Sequence, residues 1–187
     1  GGVQILSMML FYPLLRKVLS ALQVFYVSFV MAVGGYAVLL IQMFMGVRNV
    51  YLLLIHGFFV FMAFGMLTVL TTVFLANTVD YGELKNSRRD ESVIFSMQTF
   101  VVKLASGVAA MIASICLSIS HISQDTSAAE AAAAGASSVA VLRMTMTVLP
   151  IAGLLIAVFI FTRKYMLTDE KLREITEELQ RRKGDIR

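Results

Sequence analysis

The sequence predicts an all-α fold, a polytopic bundle of transmembrane helices. Three observations carry that expectation. The chain is 58% hydrophobic and 15% charged, where an ordinary soluble domain is about 25% charged, and its mean hydropathy is +0.81. Uncharged apolar blocks recur at or beyond the roughly 20 residues that a helix needs to cross ~30 Å of hydrocarbon. The ionised residues, finally, gather at the boundaries of those blocks. A water-soluble fold of 187 residues could not hide so much apolar surface. The net charge of +4 is no nucleic-acid signal either, because the basic residues sit at block ends.

Taken in order, the first apolar block covers residues 3–15, about half the length of a span, and ends near Pro13 before Arg16 and Lys17. A second runs over residues 18–45, with Gly34 and Gly35 in mid-span, and a short turn leads to a third at 50–79. A charged loop is expected at 80–91, a fourth span at 92–120, a polar and alanine-rich connection at 121–138, and a last span at 139–161. The bundle is thus expected to occupy residues 1–165 and a tail residues 166–187. The opening Gly1-Gly2-Val3 has no methionine, charged n-region or cleavage pattern. It reads as neither a natural start nor a signal peptide, so the chain is expected to be a fragment. Cys116 lies inside an apolar run and says nothing about redox compartment.

Charge orients the bundle. With Arg16-Lys17, the 80–91 loop and the tail on one side, that side holds all of the 16 Lys and Arg except Arg48, Arg143 and Lys103. This is the positive-inside pattern, and it places the loop and the C-terminus in the cytoplasm of a multi-pass plasma-membrane protein, a bacterial inner membrane being the natural setting. The tail reads as an amphipathic helix. Thr168 is its cap, Asp169 and Glu170 occupy its first turn, and Leu172, Ile175 and Leu179 form its apolar stripe. Glu177–Arg181 and Glu178–Arg182 are its expected i,i+4 pairs. The pattern leaves open whether it lies on the membrane or against the bundle.

Among residues that could carry chemistry, Lys103 stands out. It sits roughly 16 Å into its span at 1.5 Å per residue. A lone cation there costs at least ~2.5–3.5 kcal/mol on insertion scales. None of the 12 Asp and Glu is well placed to neutralise it. Its partner therefore belongs to another part of the protein, a ligand or water in a cavity. Ser92, Ser96, Thr99, Lys103 and Ser106 share one helical stripe, with Gln98 beside it, a polar face that suits a wet interior and neutral polyols. Thr68, Thr71 and Thr72 form a second polar group, equally explained by bonds to their own helix. His56 and His121 lack a second ligand at metal spacing, and no nucleophile triad or phosphate loop is present, so neither a metal site nor an enzyme is expected.

From Ala76 to Ser106 the sequence closely resembles the glycoside–pentoside–hexuronide:cation symporters of the major facilitator superfamily. The resemblance rests on Asn77-Thr78-Val79-Asp80-Tyr81-Gly82-Glu83, then Arg89, Glu91-Ser92 and Ser96-Met97-Gln98-Thr99-Phe100-Val101-Val102-Lys103. It implies a fragment of a major facilitator fold, running from the end of helix eight through helix twelve and the tail. The implied activity is secondary active symport of a sugar or glycoside with a monovalent cation, Na⁺ or H⁺. That cation would be held mainly by acidic residues of an N-terminal helix bundle outside this chain. The resemblance also places Gln98, Thr99, Val102 and Lys103 toward sugar or the coupling network, and Thr68 where the family's best-known member has a tryptophan. Asp80, Glu83, Arg89 and Glu91 match residues of a cytoplasmic gate between the two halves, with Asn77 standing where an aspartate is common. Alternatives of the same sequence are a lysolipid:Na⁺ symporter and a helical membrane subunit that only binds partner helices. Besides sugar and cation, the expected partners are membrane lipid and the N-terminal bundle.

Overall fold

The structure is a computed structural model that describes residues 2–46, 50–120 and 136–184. Helix α1 covers Gly2–Arg16, α2 Ala21–Phe44, α3 Val50–Asn86, α4 Glu91–Ile119, α5 Ala136–Lys164 and α6 Asp169–Gly184. No strand occurs among the described residues. Four helices, α2 to α5, are long and apolar enough to cross a membrane, and α1 is a shorter apolar helix. The expected all-α bundle is what the chain forms, and it is a multi-pass membrane protein. His121 and most of the alanine-rich connection lie outside the described residues, as does Arg48.

Several boundaries differ from the hydropathy reading. α1 does not stop at Pro13 but continues to Arg16. Pro13 has no N–H to bond the preceding turn, and a π turn over Ser7–Phe11 comes just before it, a common site of helix distortion. α2 begins at Ala21 because Ser20 and Gln23 form a reciprocal capping box, Gln23 N donating to Ser20 Oγ and Ser20 N to Gln23 Oε1. The largest correction concerns the charged segment. Residues 80–86, expected in a loop, are the last two turns of α3, and only residues 87–90 connect it to α4. The charges suggested a loop, yet nothing in Asp80–Asn86 breaks a helix apart from Gly82, which is tolerated there. The stop comes from Ser87, whose φ of 54° lies in the left-handed region that ends helices.

The core sits between α1, α2 and α3, where Ala21, Val24, Met62, Met66, Leu70 and Phe74 pack together. Two glycines permit the close approach. A Cβ on Gly65 would lie 2.6 Å from the Gln4 carbonyl oxygen and 2.9 Å from Ser7 Cβ. At this contact the buried Ser7 Oγ donates to the Met62 carbonyl at 2.6 Å. A Cβ on Gly35 would meet Val60 Cγ2 at 2.5 Å. At the charged end, Phe161 of α5 and Tyr165 just beyond it stack at 4.6 Å, and Phe161 also meets Phe25 at 4.3 Å and Phe74 at 5.1 Å. The aromatics thus tie α5 to α2 and α3. By contrast, α4 has no buried residue. It is held beside α5, where the Cys116 thiol donates to Thr145 Oγ1 at 3.2 Å.

The tail helix is capped as expected, Lys171 N donating to Thr168 Oγ1 at 3.4 Å. It lies against the bundle, its apolar stripe turned to α3, with Leu167 and Ile175 buried. Near its end Arg182 Nη1 donates to the Leu84 carbonyl at 3.2 Å. Of the two expected i,i+4 pairs only Glu178–Arg182 forms, at 3.5 Å; Glu177 turns instead toward a groove beneath the helix.

Candidate functional site: a charge cluster and a polar stripe

The turn at Ser87 reverses the chain and brings Arg89 back over the last turns of α3. Asp80 and Glu83, three residues apart, share one face of that helix. Arg89 Nη1 donates to Asp80 Oδ1 at 3.0 Å and to Glu83 Oε2 at 2.7 Å, while its Nε donates to Glu91 Oε2 at 3.0 Å. One guanidinium thus gathers three carboxylates, and all four residues of the expected gate meet in one cluster. The pairing lies within this chain, between α3, the connecting turn and the start of α4. Hydrogen bonds to Glu83 first, then to Glu91 and Asp80, hold the Arg89 pKa above its already high ordinary value, so it is a permanent cation. Arg88 Nε pairs with Asp90 at 3.0 Å, and that carboxylate makes no capping bond to α4. The cluster is open to solvent, Glu83 excepted at 17% side-chain exposure. Exposed pairs of this kind are weak individually and yield to salt. With two carboxylates in excess, the cluster suits a contact that is made and broken more than a permanent clamp.

Lys103 is the thirteenth residue of α4, about 18 Å along the axis from Glu91, close to the middle of the helix. Its side chain is exposed and makes no ion pair or hydrogen bond with the described residues. Thr99 and Val102 are exposed and Gln98 half-buried on the same helix. The hydroxyls of the stripe bond their own helix: Ser96 Oγ donates to Ser92 O at 2.6 Å, Thr99 Oγ1 to Phe95 O at 3.0 Å and Ser106 Oγ to Val102 O at 2.9 Å. Thr68 behaves alike on α3, donating to Phe64 O at 2.8 Å, as does Thr71 to Leu67 O at 2.8 Å. Such back-bonding satisfies a hydroxyl donor in apolar surroundings. It leaves the oxygen lone pairs facing outward as acceptors, and the donor free to swing to a better partner. No hydrogen bond or ion pair among the described residues joins Thr68 to the α4 group. Toward the charge cluster the stripe opens into a groove of about 410 Å³ lined by Ser92, Val93, Ser96, Met97 and Phe100.

Residues 2–169 match the family described as MFS/sugar transport protein. The chain belongs to this family. Within it, the chain is 29% identical over 174 residues to the lactose permease of Lactobacillus delbrueckii subsp. bulgaricus, covering 93% of this chain and 27% of the permease. It is 30% identical over 170 residues to the raffinose carrier protein of Pediococcus pentosaceus, covering 91% of this chain and 25% of the carrier. The chain therefore spans about a quarter of the length of these MFS relatives. No solved structure matches it.

Two features of the site were not read from the sequence. One is Ser87, whose left-handed backbone aims Arg89; a serine gives no warning of it. The other is Tyr165, just beyond α5. Burial pushes its hydroxyl pKa up, the Asn77 amide opposes this and the Asp169 charge adds to it. The oxygen is buried without a hydrogen bond of good geometry.

Proposed function

We infer that this chain is part of a secondary active transporter that carries a sugar or glycoside with Na⁺ or H⁺ by alternating access. The observation that carries the reading is Lys103, an ammonium with no ion pair or hydrogen bond among the described residues, halfway along an apolar helix and flanked by hydroxyls that accept and can re-aim. An intramembrane charge is retained where it serves a pathway. The printed names of the relatives, a lactose permease and a raffinose carrier, favour a sugar over a lysolipid and a carrier over an enzyme.

In this reading α4 borders the substrate path. Lys103, Gln98, Thr99 and Val102 face the sugar or the coupling network, and Thr68 contributes from α3. The ammonium of Lys103 finds its counter-charge in a carboxylate of a second helix bundle, which also covers the bare face of α4 and binds the cation. The Arg89 cluster with Asp80, Glu83 and Glu91 lies on the cytoplasmic side of the plasma membrane, with the tail helix and C-terminus. It forms one arrangement when the carrier faces outward and another when it faces inward, and only such a difference is needed to bias the equilibrium. The bundle at residues 1–165 supplies part of the transport path and the tail at 166–187 sits outside the membrane. The test is uptake of radiolabelled lactose and raffinose by the full-length protein, with and without an imposed Na⁺ or pH gradient. Accumulation above equilibrium with one gradient supports symport; equilibration unaffected by either gradient removes the coupling.

A further inference from the structure

Beneath the tail helix lies a groove of about 340 Å³ that the transport reading does not use. Its ionised walls come from two places in the chain. Arg16 stands at the end of α1, while Asp169, Arg173 and Glu177 follow one another at i,i+4 and i+8 along one face of α6. The Asn77 amide and the Thr176 hydroxyl complete the polar lining, over a floor that includes Val73 and Leu172. None of the four charged side chains forms an ion pair among the described residues. Arg16 donates instead to the Leu19 carbonyl, three residues on. Glu177 has Arg181 one turn away and lines the groove instead.

Two guanidiniums and two carboxylates facing one space without closing on each other define the chemistry of an occupant. A bare phosphate would gain from the arginines and be repelled by the acids; a bare cation would meet the reverse. A ligand that carries both signs satisfies both sets. Guanidinium forks match phosphate oxygens. Carboxylates prefer a cation with N–H donors, which a primary ammonium has and a quaternary one lacks. We propose that the groove between α1, α3 and α6 binds a phosphoethanolamine group, the phosphodiester on Arg16 and Arg173 and the ammonium on Asp169 and Glu177. The groove lies level with the ends of the apolar spans, where α1 stops and α2 begins. Close by in the chain, Leu14, Val18 and Met166 are exposed, leaving apolar surface at the same level for acyl chains. A membrane lipid and a water-soluble ester present the same group, so the experiment separates the two sources.

The full-length protein, delipidated in detergent, is titrated with phosphatidylethanolamine, phosphatidylcholine and phosphatidylglycerol in mixed micelles, and bound lipid is counted by native mass spectrometry. The site predicts phosphatidylethanolamine retained roughly tenfold better than phosphatidylcholine, the scale of one charge-assisted hydrogen bond at a partly exposed site. Glu177→Gln brings the two lipids close to parity, because it removes an acceptor that only the primary ammonium uses. Arg173→Gln weakens both alike. Both side chains are exposed, and neither variant disturbs the buried Ile175 that seats the helix. Soluble glycerophosphoethanolamine that displaces the lipid supports the site with a solute as its source; failure to displace it assigns the source to the bilayer. Equal retention of the two lipids by the unmodified protein overturns the proposal, and so does a preference that survives Glu177→Gln.

Discussion

The helix contacts at Gly65 and Gly35, with Gly57 as a contact-free control, give a graded test of the packing. In Gly65→Ala the new methyl lands 2.6 Å from a backbone oxygen of α1 and 2.9 Å from Ser7 Cβ. Neither neighbour is the far end of a flexible side chain, so α1 has to withdraw. Overpacking of this kind costs about 1–3 kcal/mol. The retreat also stretches the buried Ser7–Met62 hydrogen bond of 2.6 Å, worth about 1 kcal/mol. The better helix propensity of alanine returns about 1 kcal/mol. Those last two effects offset, leaving about 1–3 kcal/mol of destabilisation. Gly35→Ala strikes only Val60 Cγ2 at 2.5 Å, the next atom being 3.7 Å away. Valine is stiff in a helix, so a loss is still expected, smaller than at Gly65 because one side-chain atom and no backbone is struck. Gly57→Ala meets nothing within 4 Å, and is expected to be neutral or gain up to ~1 kcal/mol. Denaturant unfolding of the full-length protein in mixed micelles gives the order. Gly65→Ala as stable as Gly57→Ala would refute the α1–α3 contact, and with it the placement of the first helix.

Three further outcomes follow from the charged end. Ser87→Gly, at a φ of 54°, should stabilise by about 1 kcal/mol because glycine adopts the left-handed region freely, read by the same unfolding titration; a loss of stability would mean the turn is held otherwise. Tyr165→Phe removes a buried hydroxyl that lacks a good partner and should be neutral or stabilising. The raised tyrosine pKa adds a pH sign: its contribution is complete below the unfolded tyrosine value of about 10 and fades as pH rises through the folded value. The phenylalanine variant should therefore lose less stability than the parent in alkaline titration, and identical alkaline curves would contradict this. Arg89→Ala leaves Asp80, Glu83 and Glu91 to repel one another. It is expected to shift labelling of engineered cysteines between the two faces of the full-length protein, with Arg89→Lys intermediate. Unchanged labelling on both faces would remove the cluster from the gate.

The membrane class was legible because hydrocarbon imposes a length and a composition that soluble folds do not share. Lys103 was legible for the same reason, a single ammonium among apolar neighbours. The tail helix could be read from its cap and its Leu172–Ile175–Leu179 stripe, although its seat on α3 depends on tertiary contacts with Leu84 and its neighbours. The end of α3 was misplaced because hydropathy reports where the membrane ends, whereas a helix ends where its backbone turns, here at Ser87. Glu177 and Arg181 have the spacing of a pair, but exposed pairs are weak, and Glu177 faces the groove. The resemblance singled out Asp80, Glu83, Arg89 and Glu91, but for pairing between two halves. Their convergence within this chain, one guanidinium reaching back over a left-handed turn, was not legible.

The central claim is that Lys103 belongs to the transport pathway. Its most direct test is gradient-driven sugar uptake by the full-length protein carrying Lys103→Ala, normalised to the amount in the membrane. Removal of a costly mid-membrane charge should leave insertion unchanged or slightly improved. The reading predicts normal membrane levels with most of the cation-driven accumulation lost, and only partial recovery in Lys103→Arg. Normal accumulation with alanine at this position would make Lys103 a structural charge and take α4 out of the substrate path.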